Sequence, residues 1–156
     1  MAAFTHLNAE GSRFSDGSCG IYYAAIGIDT AISETIFHRE RFLRASQEPP
    51  IEIDMRSYAS EINDQFHDIR GQKATRPDLY HPDPGQYGPA QSFAAALRAR
   101  GSNGIVYESV RDPGSECIGV FRPRLLSPVQ QGAHYCYVWD GSSISDVYIK
   151  SEYHRH

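Results

Sequence analysis

Gly20-Ile-Tyr-Tyr-Ala-Ala-Ile26 runs directly into Gly27-Ile-Asp29-Thr30-Ala-Ile-Ser-Glu34-Thr-Ile-Phe-His38, and the change of pattern between the two decides the fold. The first run is aromatic and apolar without a break, which suits a buried strand. Asp29 or Thr30 then offers a side-chain oxygen to the unpaired N–H groups of a helix start. Ile32, Ile36 and Leu43 fall in one helical stripe, with Thr35 and Phe42 on its flank, so the spacing predicts a helix to about Ala45. Glu34 lies on the opposite side, near Arg41 and one turn before His38, where periodicity alone makes it a solvated residue. Just upstream, Arg13 sits in a polar loop, Asn8 to Gly20, whose glycines, serines and aspartate favour turns. Loop, strand and helix therefore deliver one arginine, two tyrosines and one glutamate in quick succession. Arginine offers a planar fork for phosphate, tyrosine a stacking face, and a glutamate among apolar helix residues can meet a developing positive charge. The combination suggests a nucleotide-type ligand.

Outward from this stretch, Ala2 to Leu7 reads as a short strand. Gln47-Glu-Pro-Pro50 ends the helix, because proline lacks the donor and clashes with the preceding turn. Ile51 to Arg56 alternates apolar and polar residues, as a half-buried strand does. Ser57 to Arg70 is ambiguous, with Tyr58, Ile62 and Phe66 at helical spacing, and is read as strand. Gly71 to Gly88, rich in proline, aspartate and glycine, reads as an irregular connection with one short helical turn. Pro89 to Arg100, closed by Gly101, is the clearest helix. Gly104 to Arg111 and Glu116 to Phe121 read as strands joined through an Asp112-Pro-Gly turn, and Ala133 to Trp139 and Ser142 to Ile149 as a hairpin through Asp140-Gly141. The pattern is strand-rich with two main helices, which is α+β and not a regular βαβ repeat.

The 156 residues suit a single domain, 1–156, able to remove roughly 70% of its unfolded surface from water, with 124–156 supplying C-terminal strands and a tail. A net charge of −4 gives no bulk attraction to a phosphate backbone, so direct nucleic-acid binding is not expected. Cys19, Cys117 and Cys136 are odd in number and form no Cys-x-x-Cys pair, which argues against a disulfide framework or a zinc knot and for a reducing cytoplasm. The start of the chain lacks a basic segment followed by an apolar run, and no stretch is long and apolar enough for a membrane helix. His38, His67 and His81 lack metal-site spacing, so no metal is expected. His134 and Cys136 share a strand face, yet nothing orients them as a nucleophile and base. Ser12-Arg13 among Gly11, Gly17 and Gly20 lacks the Gly-Lys-Ser/Thr ending of a phosphate loop, which leaves Arg13 equally a surface charge or an anion ligand. Ser109 and Arg111 alternate on one face at the end of a buried-looking strand, where polar groups need a reason.

Five segments in order, Gly11-Ser-Arg13-Phe, Tyr22-Tyr23-Ala-Ala, Thr30-Ala-Ile-Ser-Glu34, Tyr87-Gly-Pro-Ala-Gln-Ser-Phe-Ala-Ala-Ala-Leu-Arg98 and Gly104-Ile-Val-Tyr-Glu-Ser109-Val-Arg111, resemble the RES domain. The family takes its name from an arginine, a glutamate and a serine, matched here by Arg13, Glu34 and Ser109, while Tyr23 matches its tyrosine ten residues after the arginine. The resemblance spans Phe4 to Pro123. It implies an ADP-ribosyltransferase-like fold and the toxin of a bacterial toxin–antitoxin pair that consumes NAD, with inorganic phosphate as acceptor in some members and a protein in others. It also implies an Xre-type helix-turn-helix antitoxin as partner.

On that resemblance Arg13 is expected to hold the pyrophosphate. Tyr23 would stack on nicotinamide or the adjacent ribose, and Glu34 would hold ribose hydroxyls and stabilise the sugar cation. Ser109 would bond the nicotinamide amide or a phosphate, and Arg111 would orient an incoming phosphate. The chain begins close to the arginine motif, so an N-terminal extension is expected to be missing from 1–156; a homodimer is compatible with the sequence. The leading expectation is NAD cleavage at the nicotinamide–ribose bond, by phosphorolysis or hydrolysis. The alternatives are ADP-ribosyl transfer to a protein, a non-catalytic nucleotide-binding module, and a purely interacting protein.

Overall fold

The computed structural model describes residues 11–151, so the strand expected over Ala2 to Leu7 lies outside the described residues. In chain order the elements are β1 (Tyr22–Ala25), α1 (Ile28–Ser46), β2 (Ile51–Ala59), β3 (His67–Asp68), α2 (Gly88–Ala99), β4 (Gly104–Glu108), β5 (Glu116–Val120), β6 (Gln130–Trp139) and β7 (Ile144–Lys150), with short 3-10 turns at Pro77–Leu79, Pro84–Gln86 and Pro123–Leu125. The fold is α+β with two main helices and mostly antiparallel pairing, as the sequence predicts. The chain divides into two compact units. One is the chain through Glu34 with Ile62–Leu126, and the other is Thr35–Glu61 with the chain from Ser127 onward.

The first unit is built on a four-stranded sheet in the order β1-β5-β4-β3, antiparallel except for the β3–β4 pair. Directly opposed residues share a sheet face. Tyr23 opposes Gly119, which opposes Ile105, while Ala25 opposes Cys117, which opposes Tyr107. Within this unit's core, Phe14, Ile69, Leu79, Ala90, Ala94 and Ile105 are wholly buried. Removing a side chain such as Leu79 from water stabilises the fold by about 1.5–3 kcal/mol. Helix α2 presents Ala90 and Ala94, one turn apart, to this core, with Phe93 and Leu97 packed beside them. Gly104 permits the close approach of β4 to β5, since a Cβ there would sit 2.1 Å from the Gly119 carbonyl oxygen.

The second unit holds the antiparallel sheet β2-β6-β7. Trp139 and Tyr137 are its most deeply buried large side chains, at 1% and 2% exposed. Trp139 donates its indole N–H to the Glu48 carbonyl at 2.9 Å, and the Tyr137 hydroxyl pairs with Thr35 Oγ1 at 2.8 Å. At the β6–β7 turn, Asp140 Oδ1 accepts the backbone N–H groups of Ser142 and Ser143 at 2.7 and 2.8 Å.

Several sequence expectations change: α1 begins at Ile28, so Asp29 and Thr30 lie within the helix and neither is its cap. Strand β2 runs on to Ala59, and of the remaining residues to Arg70 only His67–Asp68 form strand, because the parallel pairing to Ile105 and Val106 ends after those two. Strand β4 stops at Glu108, so Ser109 and Arg111 do not alternate along a strand. The Ser109 hydroxyl accepts the N–H groups of Arg111 and Asp112, at 3.1 and 2.9 Å, and this local bonding turns the chain in place of the ladder. Glu34 is half-buried instead of solvated, because its carboxylate has a partner in that turn.

Candidate active site

The arginine of the N-terminal loop is placed by a closed four-residue turn. Ser12 N–H donates to the Ser15 carbonyl at 2.7 Å and Ser15 N–H returns to Ser12 at 3.3 Å. Phe14, fully buried, anchors the turn in the core. Gln91 of α2 clamps it from the side, donating from Nε2 to the carbonyls of Ser12 and Ser15 at 3.0 and 3.2 Å. Arg13 is thereby held 9% exposed. Its Nη1 donates to the carbonyls of Leu79 and His81 at 3.2 and 3.0 Å, its Nη2 donates to the Tyr87 hydroxyl at 3.3 Å, and its guanidinium carbon lies 4.5 Å from the Tyr87 ring centre. Among the described residues these bonds leave the Nε–H and one Nη2–H without a partner. That is enough for a two-pronged grip on an oxyanion.

Tyr23 follows on β1, with its ring 6.4 Å from that of Phe14 and nearly parallel to it. The residue is 36% exposed, yet its hydroxyl is bonded within the protein. It accepts the Phe14 N–H at 3.0 Å and pairs with Ser12 Oγ at 2.8 Å. Burial pushes the phenol up to about 12. The hydroxyl is thus committed to the arginine turn, and the exposed part of the ring is what a flat ligand can stack on.

Glu34 and Ser109 meet. Ser109 is 1% exposed and donates its hydroxyl to Glu34 Oε1 at 2.7 Å, while Cys117 Sγ lies 4.0 Å from the same oxygen. No described residue bonds Glu34 Oε2. Because Ser109 Oγ already accepts two backbone N–H groups, its one proton has to point at the carboxylate. Its hydroxyl is thus engaged by three partners within the protein. Arg111 lies on the turn after β4 and donates from Nη2 to the Pro82 carbonyl.

Burial raises the Tyr107 phenol well above its ordinary value, with Cys117, Tyr23 and Glu34 acting in the same direction and Arg13 against them. Cys117 is pushed up to about 12, first by burial and then by Glu34, which makes it an inert thiol at neutral pH. The sequence gives no site role to Thr30, Tyr87, Gln91, Tyr107, Asp112 or Cys117. The spacing of Thr30 and Glu34, one helical turn apart, was the available signal for the first of these.

The first unit thus carries a buried arginine with two N–H groups left over, a partly exposed tyrosine ring and a carboxylate held by a serine hydroxyl. The chain belongs to the RES domain family, which matches residues 1–140. It is 32% identical over 148 residues to the uncharacterised protein y4oC of Sinorhizobium fredii, an alignment covering 95% of this chain and 60% of that protein. The chain therefore spans less than two thirds of that relative's length. RES domains are associated with toxin–antitoxin systems and with NAD-related enzymatic activity.

Proposed function

We propose that this chain cleaves the nicotinamide–ribose bond of NAD, as the toxin of a toxin–antitoxin pair. The observation that carries this reading is the half-buried Glu34 carboxylate, held through one oxygen by Ser109 with its second oxygen left for a ligand. In the reaction the C1′–N bond breaks with its electron pair going to the nicotinamide nitrogen. Nicotinamide leaves neutral, and positive charge develops on the ribose. A fixed carboxylate beside that sugar lowers the barrier by electrostatic stabilisation and by holding ribose hydroxyls. Phosphate then attaches through oxygen to C1′, giving ADP-ribose phosphate, or water attaches and sheds a proton. Arg13 would grip the pyrophosphate with its remaining N–H groups, and Tyr23 would offer its ring to nicotinamide or ribose. Arg111, once released from Pro82, could meet the incoming phosphate.

Incubating the purified chain with NAD, with and without phosphate, and following free nicotinamide by NMR tests this. Wild type should release nicotinamide, and Glu34→Gln should slow release about 100-fold or more, the scale on which preorganised electrostatic groups act. Release that depends on added cell lysate would move the reading to protein modification, and NAD binding without product to a nucleotide-binding module. The reading includes an Xre-type helix-turn-helix antitoxin as partner. A small helix-turn-helix protein encoded beside this chain, and loss of nicotinamide release on mixing the two, are the expected results.

A further inference from the structure

We infer that Thr30 and Asp112 are positioning residues for Glu34, forming a clasp between helix α1 and the turn after β4 that fixes the carboxylate in place. The inference rests on the reading of Glu34 as the carboxylate of an NAD-cleaving site. Thr30 precedes Glu34 by four residues, so both side chains leave the same face of the helix one turn apart. Each bonds the same turn. Thr30, 3% exposed, donates Oγ1–H to Asp112 Oδ2 at 2.6 Å, and Glu34 Oε1 accepts from Ser109 at 2.7 Å.

The two contacts are linked through the turn itself. Asp112 donates its N–H to Ser109 Oγ at 2.9 Å, and the turn is closed by Ser109 N–H on the Ser115 carbonyl at 2.8 Å and Ser115 N–H on the Asp112 carbonyl at 3.1 Å. Every proton in the ring has one direction. Thr30 faces a carboxylate that can only accept, and Ser109 has both acceptor positions filled by N–H groups, so its hydrogen must go to Glu34. The Asp112 carboxyl is held below its ordinary range, chiefly by Thr30 and then by Ser115, so the acceptor stays ionised at neutral pH. The Thr30 side chain bonds Asp112 and not the Glu34 carboxylate. It fixes the turn whose serine aims the carboxylate, and a displacement of about 1 Å at a reacting group can cost 100-fold in rate.

The decisive variant is Thr30→Val, which keeps the shape and removes the donor, with Thr30→Ser as the conservative rescue. Two readouts are taken on the folded chain. In nicotinamide release, Thr30→Val should lower kcat about 10- to 100-fold with KM within about threefold, Thr30→Ser should restore it, and Asp112→Ala should add little to Thr30→Val. In the 13C carboxyl spectrum of Glu-labelled protein, the Glu34 signal, assigned by its loss in Glu34→Gln, should move in Thr30→Val and Ser109→Ala and return in Thr30→Ser. A Glu34 signal unmoved by Thr30→Val, or a rate loss that serine does not rescue, overturns the clasp. Absence of nicotinamide release from wild type would sink the NAD reading alone, because the carboxyl signal decides the clasp without turnover.

Discussion

At the scale of single residues, the polar groups of this site are organised by how many bonds each can make. Tyr23 shows the rule. Its hydroxyl is spent on the arginine turn, so ring and hydroxyl have separable roles. Tyr23→Phe should leave the Phe14 N–H unpaired and cost about 1 kcal/mol in a urea titration, yet keep nicotinamide release within a few-fold. Tyr23→Ala, which removes the stacking face, should lower it about five- to tenfold. The raised phenol has a checkable sign: the neutral form is favoured by folding, so its contribution is complete below the ordinary value near 10 and lost as pH rises through about 12. An ultraviolet titration of wild type against Tyr23→Phe should therefore assign one late-ionising group to Tyr23, and a difference spectrum centred near 10 would contradict its enclosure. The identities of Arg13, Tyr23, Glu34 and Ser109 as candidates were legible in the sequence through the RES resemblance. Their bonding was not, since nothing in the order of residues says that Arg13 is pinned by the carbonyls of Leu79 and His81 or that Ser109 serves Glu34.

At the scale of elements, strands and helices were legible where periodicity and breakers agree, as in α1 and α2, and illegible where a local polar bond overrides the pattern. Strand β4 illustrates this, ending at Glu108 because Ser109 captures two backbone N–H groups. Its start depends on Gly104, whose missing Cβ would meet the Gly119 oxygen at 2.1 Å and the Phe66 ring at 3.0 Å. Backbone must move to admit a methyl group there, so Gly104→Ala should destabilise by about 1–3 kcal/mol or more, read as a fall in urea midpoint with unchanged slope. In the β6–β7 hairpin the Asp140 carboxylate is pulled down to about 2 by the N–H groups of Ser143 and Ser142. A carboxyl lowered by folding stabilises above its ordinary value near 3.8 and loses that effect as pH falls through about 2. Asp140→Ala should thus melt below wild type at pH 6, with the gap closing towards pH 2; a gap that persists at pH 2 would assign the effect to side-chain packing.

At the scale of the whole molecule, the chain groups into two compact units, each assembled from discontinuous stretches. Periodicity is blind to this division because it acts within a window of residues, whereas Thr35–Glu61 joins the chain from Ser127 onward across a long stretch belonging to the other unit. The three cysteines provide natural reporters. Cys117, 2% exposed, belongs to the first unit and Cys136, 3% exposed, to the second, and burial raises both thiols above their ordinary value. Cys19 is only half-buried. A thiol must be both exposed and ionised to react, so in native protein at pH 8 iodoacetamide should modify Cys19 first, with Cys117 and Cys136 following at rates set by opening of their own units. Peptide mass spectrometry over time resolves the three. Equal rates for Cys117 and Cys136 that fall in parallel with added stability would mean that the units open together, and a persistent difference that they open separately. Modification of Cys117 as fast as Cys19 would contradict the packing of Cys117, which is 2% exposed with its Sγ 4.0 Å from Glu34 Oε1.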